Sequence, residues 1–205
     1  ETLKNWIDSE ILKRDDKEAV YIYEEEFTAY GQRKKFKGCI VRVKLEEFSK
    51  GIVLPHEETL SKAKEDRFNL MKATNCNFSQ IYSLYMDSEH KILSRLDRLS
   101  DVKPDVELTD NDNVTHRLWV VTDKDEIDAI CRDFADKKLY IADGHHRYET
   151  ALNFRNYCRE NNIQNAGADY VMMMLVDMEH EGLVVFPTHR LVRNLENFNA
   201  EKAMN

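Results

Sequence analysis

Apolar positions along this chain change period several times, and each change predicts an element. Leu3, Trp6, Ile7 and Ile11 recur at helical spacing, so the first segment is expected to form an amphipathic helix that packs on a sheet and stops near the charged run KRDDKE. AVYIYEEEF and FKGCIVRVKL read as two strands of an antiparallel hairpin, joined through TAYGQRKK with Gly31 at the turn. The acidic EEE of one strand would face the basic RKK of the other in cross-strand pairs worth about 0.2–1 kcal/mol each. Leu60, Ala63, Phe68 and Met71 then mark one face of a helix, with Thr59 or Ser61 as its N-cap. NFSQIYSLYMD predicts a short buried strand and SEHKILSRLDRLSDV a further helix. KPDVELTDNDNVT, rich in acids and turn residues, reads as an exposed loop near 101–115.

The second half begins with a strand, HRLWVVTD, and a helix, DKDEIDAICRDFAD, carried on Ile127, Ile130 and Phe134. KLYIAD is a strand that runs through Asp143-Gly144 directly into the helix HHRYETALNFRNYCREN. ADYVMMMLVDM and GLVVFPTHRLV are read as two closing strands around the turn EHEG, with the Met run filling core space. The order lacks regular β-α alternation and shows no internal repeat. The expected class is therefore α+β, one domain over 1–205 built on a mixed, largely antiparallel sheet.

Composition narrows the function classes. With 30 Lys+Arg against 38 Asp+Glu the formal charge is −8, which argues against an extended contact with a nucleic-acid backbone but leaves room for a small basic pocket. No run approaches the ~18 apolar residues needed to span a bilayer, and ETLKNWIDSE lacks the regions of a signal peptide, so a cytoplasmic protein without membrane partners is expected. Cys39, Cys76, Cys131 and Cys158 are widely spaced and signal neither a zinc ribbon nor a disulfide scaffold. The chain begins with Glu rather than Met, which reads as part of a longer protein.

Candidate chemistry concentrates in YIADGHHRYETAL, residues 140–152. A strand that turns through Gly144 into a helix presents unpartnered N–H groups and the positive end of the helix dipole, a ready anion site. His145, His146 and Arg147 add donors, and Asp143 beside them could hold a metal or take a proton. The alternative is that Asp143 caps the helix while His146 fills space and Arg147 is solvated. Cations in a first turn oppose the dipole, which favours a ligand. A second group is His56, Glu57 and Thr59 ahead of Lys64 and Arg67. H-E-E-T lacks the second His of a zincin; Lys64 and Arg67 share a helix face that, taken alone, reads as solvated, and Glu57 outside the helix is free to act as a base. His189 and Arg190 follow the last apolar run and would either reach a pocket or mark a strand leaving the sheet.

ADGHHRYETAL, together with HEETLSKAKEDRFNLMKAT, HRLWVVTD and VFPTHRLV in the same order, resembles the family catalogued as domain of unknown function 1015 across nearly the whole chain. Members of that family are generally longer, and they usually have Pro where Ala63 stands here. The family is similar to the ParB and sulfiredoxin superfamily, which implies a small α+β core with a nucleotide-phosphate site at the Gly144-His145-His146-Arg147 helix start. Sulfiredoxin's reactive Cys would fall at His145, so its repair chemistry does not carry over. Asp143 to Arg147 resemble best the version found in free serine kinases.

The resemblance implies binding of ADP or ATP with Mg²⁺ and phosphoryl transfer to a small hydroxyl acceptor such as free serine. Gly144, His145, His146 and Arg147 would cradle phosphates, with Lys64, Arg67, Thr59, His189 and Arg190 around them. Asp143 or Glu57 would hold Mg²⁺ or orient the acceptor hydroxyl, and His56, His146 and His189 stand behind them as catalytic candidates. Two rival expectations are a noncatalytic nucleotide or phosphometabolite sensor, and a metal-dependent phosphoester hydrolase using Asp143, His145, His146 and His189.

Overall fold

The computed structural model describes residues 1–58, 61–187, 189, 191, 193, 194 and 199, without the side chains of 61–63. Strands β1 (Val20–Ala29) and β2 (Gln32–Lys44) form the expected hairpin. Its turn is a tight pair, Tyr30 and Gly31, both at positive φ, the backbone twist that two-residue hairpins require. The remaining strands are β3 (Val53–Leu54), β4 (Ile81–Tyr85), β5 (Val106–Thr109), β6 (Thr115–Val121), β7 (Leu139–Asp143) and β8 (Tyr170–Asp177). They complete one eight-stranded sheet in the order β3-β7-β4-β8-β2-β1-β6-β5. β3 with β7 and β4 with β8 pair in parallel, and every other neighbouring pair is antiparallel. The chain is thus α+β with a mixed, mostly antiparallel sheet, as its patterning predicts.

Register explains the core. Trp119, Ile22, Cys39, Leu175, Ser83 and Ile141 are successive cross-strand partners on six adjacent strands, and all are buried. Period-two alternation puts Val20 and Ile22 on this face and Tyr21 and Tyr23, half-buried, on the other. Three helices cover the row: α3 (Lys91–Leu99) through Ile92 and Leu96, α4 (Lys124–Phe134) through Ile130, and α5 (His145–Glu160) through Tyr148, Ala151 and Leu152. Helix α2 (Ser61–Thr74) lies against α5, with Phe68 and Met71 beside Phe154 and Cys158. Phe68 and Met71 therefore face inward as their spacing predicts, whereas Leu60 and the Ala63 side chain lie outside the described residues.

Where helical cover ends, the same sheet face becomes charged. Arg117 donates to Glu24 at 2.9 Å, to Glu26 at 2.8 Å and to Glu107 at 2.6 Å, while Arg33 reaches Glu26 at 2.5 Å. The expected pairing of EEE with RKK is present, enlarged by an arginine from β6.

Three local expectations need correction. Helix α1 (Thr2–Asp8) buries none of its residues, and Trp6, Ile7 and Ile11 stay exposed rather than packing on the sheet. It is only two turns long, too short to form a stable stripe by itself. The span near 101–115 is not all loop, because β5 pairs with β6 as an exposed edge strand. Val106 and Leu108 alternate with acids there, a pattern masked by the surrounding Asp and Asn. The run after Gly182 is not a strand over residues 183–187. β8 pairs with β2 only over Cys39 to Lys44, and this segment runs beside the 32–38 stretch of β2 without forming a strand, with Gly182 against the Lys35 carbonyl and Phe186 beside Tyr30. Thr188 and Arg190 lie outside the described residues.

Among the described residues no helix is long and apolar enough to cross a membrane. Burial pushes the Cys39 thiol up to about 12 and raises that of Cys158, while Cys131 is exposed. A disulfide-exchange reagent is expected to label Cys131 in the native protein, and Cys39 and Cys158 only as the protein unfolds, read by mass spectrometry in a urea series. Ile22→Ala at the centre of the buried row should cost about 2–5 kcal/mol in urea unfolding.

Candidate functional site

Strand β7 delivers Asp143 to its site through an irregular pairing. Tyr82 pairs with Asp143 but Ser83 with Ile141, so Ala142 is an extra residue that bends the strand end. Gly144 follows at φ 104, a left-handed conformation that favours glycine, and α5 begins with no side chain capping it. The capping alternative for Asp143 is therefore not what occurs. Its carboxylate instead pairs with Arg147 one turn along the helix.

Arg147 ties this corner together. Its guanidinium donates to Asp143, to the Gln80 carbonyl and to Ser79 Oγ, the last at 3.0 Å. It also lies across Gly144, where an added Cβ would sit 3.0 Å from the guanidinium. One side chain thus links the end of β7, the approach to β4 and the first turn of α5.

Cavities flank Arg147 on both sides. The first, of about 580 Å³, is lined by Arg67, Asp143, Arg147 and Thr150 together with Asn77 and Ser79, and has an apolar wall of Leu70, Met71 and Phe78. Phe78 and Leu70 are exposed into it. The second, of about 460 Å³, has Asp143, Arg147 and Ser79 as a shared wall and Glu25, Phe36 and Tyr82 opposite. Burial and the neighbouring Glu25 charge push the Tyr82 phenol up to about 12, so it stays a neutral donor.

His145 and Glu57 form a separate cluster. His145 is buried, its Nε2 accepts the His56 N–H at 3.2 Å, and its Nδ1 lies 3.4 Å from Glu57 Oε2. The accepted N–H requires the proton on Nδ1, which then faces the carboxylate. Burial first, and the adjacent His56 second, lower the His145 pKa, opposed by Glu57, Asp143 and Glu149. Both ring nitrogens are thus engaged in holding the loop before α2 against α5. Lys64 is held by Glu149 at 2.7 Å.

The sequence-predicted residues therefore divide. Arg67, Asp143 and Arg147 meet at one cavity, with Gly144 beneath Arg147. Glu57 and His145 meet each other, Lys64 meets Glu149, and His146 presents its carbonyl to Thr150. His189 is exposed and makes no hydrogen bond or ion pair among the described residues. Thr59 and Arg190 lie outside them. Sequence reading missed Asn77, Phe78, Ser79 and Gln80, although the polar run NCNFSQ before a buried strand was the available signal.

A family model described as "Protein of unknown function (DUF1015)" matches residues 1–205. No curated protein and no solved structure matches the chain.

Gly144→Ala should cost about 1–3 kcal/mol, because a Cβ at this positive φ is strained, measured by thermal or urea unfolding. For His145, histidine NMR should show the Nδ1–H form titrating below its ordinary value. The folded state then resists protonation that the unfolded chain accepts. Its contribution to stability is therefore present above about pH 6.5 and is lost as pH falls toward the lowered pKa.

Proposed function

The chain belongs to the DUF1015 family, and we propose that its cavity beside Arg147 binds ADP or ATP with Mg²⁺ and serves phosphoryl transfer to a small hydroxyl acceptor, free serine being the first candidate. The observation that carries this reading is the composition of the 580 Å³ space. Two guanidinium groups and a carboxylate stand opposite an apolar wall that includes Phe78, beside an uncapped helix start. A nucleotide has matching parts: a flat base for the apolar wall and phosphates for the cations and first-turn N–H groups.

Arg67 is exposed and donates to the phosphates, while Arg147 fixes the floor and offers its remaining N–H groups. Mg²⁺ bound with the nucleotide would neutralise phosphate charge, and Asp143, exposed at the cavity, is the carboxylate suited to hold it. The acceptor would enter from the second cavity, which shares the Asp143 and Arg147 wall. Glu57 stays on the His145 side, where it orients that imidazole. The net charge of −8 supports a small ligand rather than nucleic acid, and the reading is of a cytoplasmic protein.

One observation favours the noncatalytic alternative. Asp143 is already paired with Arg147, so a sensor that exchanges this pair for a phosphate would need no turnover. Calorimetry with Mg-ADP and Mg-ATP, coupled to phosphoserine detection by ³¹P NMR, separates the readings. Binding with product supports transfer, binding without product under any acceptor supports sensing, and no binding overturns both. Arg67→Ala should weaken nucleotide affinity by about 10- to 100-fold, the worth of a charge-assisted hydrogen bond, with unfolding unchanged. Asp143→Asn should abolish transfer but leave nucleotide affinity within a few-fold.

A further inference from the structure

Four carboxylates are buried among the described residues: Glu24, Asp87, Asp133 and Asp177. Three of them have a permanent cation. Glu24 has Arg117 at 2.9 Å and Lys37 at 3.4 Å, Asp87 has Lys137 at 3.1 Å, and Asp133 has Lys91 at 2.5 Å and Arg95 at 2.8 Å. Asp177 differs. Its side chain is fully buried, yet the group paired with its Oδ2 is the imidazole of His90, with Nδ1 at 3.0 Å. Its Oδ1 accepts the Glu179 N–H at 3.0 Å. No lysine or arginine among the described residues forms an ion pair with it. Among the described residues the half-exposed imidazole of His90 is thus the one side chain paired with this desolvated carboxylate.

A second carboxylate stands at the same corner. One nitrogen of His90 and one oxygen each of Asp177 and Glu179 all lie within 4.8 Å of one another. Ligand atoms at about 2.0–2.2 Å from a shared divalent ion are separated by distances of this order. The corner is also well fixed. Asp177 ends β8 opposite Tyr85, the Met178 N–H donates to the Tyr85 carbonyl at 2.8 Å, and the His180 N–H closes the turn onto the Asp177 carbonyl at 3.1 Å. His90 is set by its own N–H on the Asp87 carbonyl at 2.8 Å, at the start of α3.

We propose that His90, Asp177 and Glu179 form a binding site for a divalent transition-metal cation of the Zn²⁺ class. One imidazole nitrogen and two carboxylate oxygens suit zinc better than the all-oxygen shell preferred by Ca²⁺. The Glu179 N–H on Asp177 supplies the outer hydrogen bond that holds a ligating carboxylate in place. Along β4, Asp143 pairs with Tyr82 and Asp177 with Tyr85, so this site and the Arg147 cavity lie toward opposite ends of that strand. The metal would join the end of β8 to the start of α3 and is independent of nucleotide binding.

The test uses protein freed of metal by chelation, on a Cys76→Ser, Cys131→Ser background so that accessible thiols do not take the ion. Zn²⁺ is titrated calorimetrically and Co²⁺ optically. The expected result is one ion per chain with a raised melting temperature. His90→Ala and Glu179→Gln, both at exposed positions, should each weaken Zn²⁺ binding by roughly tenfold or more. Absence of stoichiometric binding, or full affinity in both variants, overturns the proposal.

Discussion

The guanidinium of Arg147 is the constraint on which the candidate site depends. It closes three segments onto one another: the bent end of β7, the residues before β4 and the first turn of α5. Each segment alone would be an ordinary strand end or helix start. Joined by Arg147, they leave Asp143 exposed between two cavities at the start of α5. Gly144 is part of this device, because its φ of 104 favours glycine and any Cβ would press on the guanidinium at 3.0 Å.

Electrostatics distributes the work elsewhere in the molecule. The acidic chain pairs three of its buried carboxylates, Glu24, Asp87 and Asp133, with Arg117, Lys137, Lys91 and Arg95, which neutralise them and link neighbouring elements. Removing one partner from such a pair leaves an uncompensated buried charge, so these links specify geometry even where their net contribution to stability is small. The surplus of acid is solvated. What remains at the Arg147 cavity is a pair of guanidinium groups, Arg67 and Arg147, that the formal charge of −8 conceals.

Much of the fold was legible because burial imposes period two on β1, β4 and β7 and a helical stripe on α3 and α4. Legibility failed where no such imposition exists. The apolar positions of α1 have the right spacing but no surface to meet, and β5 is held by one neighbour with all four residues exposed. Gly182 and the residues after it look like a strand, but they pass the 32–38 stretch of β2 without pairing with it. In the site, the motif from Asp143 to Arg147 was readable because it is contiguous. The partners of Arg147 were not, since Ser79 and Gln80 are 68 and 67 residues away in sequence. His145 illustrates the remaining gap: its residue type suggests a ligand, and only its burial against His56 and Glu57 reveals a structural duty.

Backbone amide resonances report directly on whether the Arg147 cavity receives a nucleotide. In a ¹H–¹⁵N correlation titration with Mg-ADP, the expected result is saturable shifts concentrated at Gly144 to Arg147, Phe78, Ser79 and Arg67. Shifts confined to other surfaces, or none at millimolar nucleotide, would contradict nucleotide binding at this site.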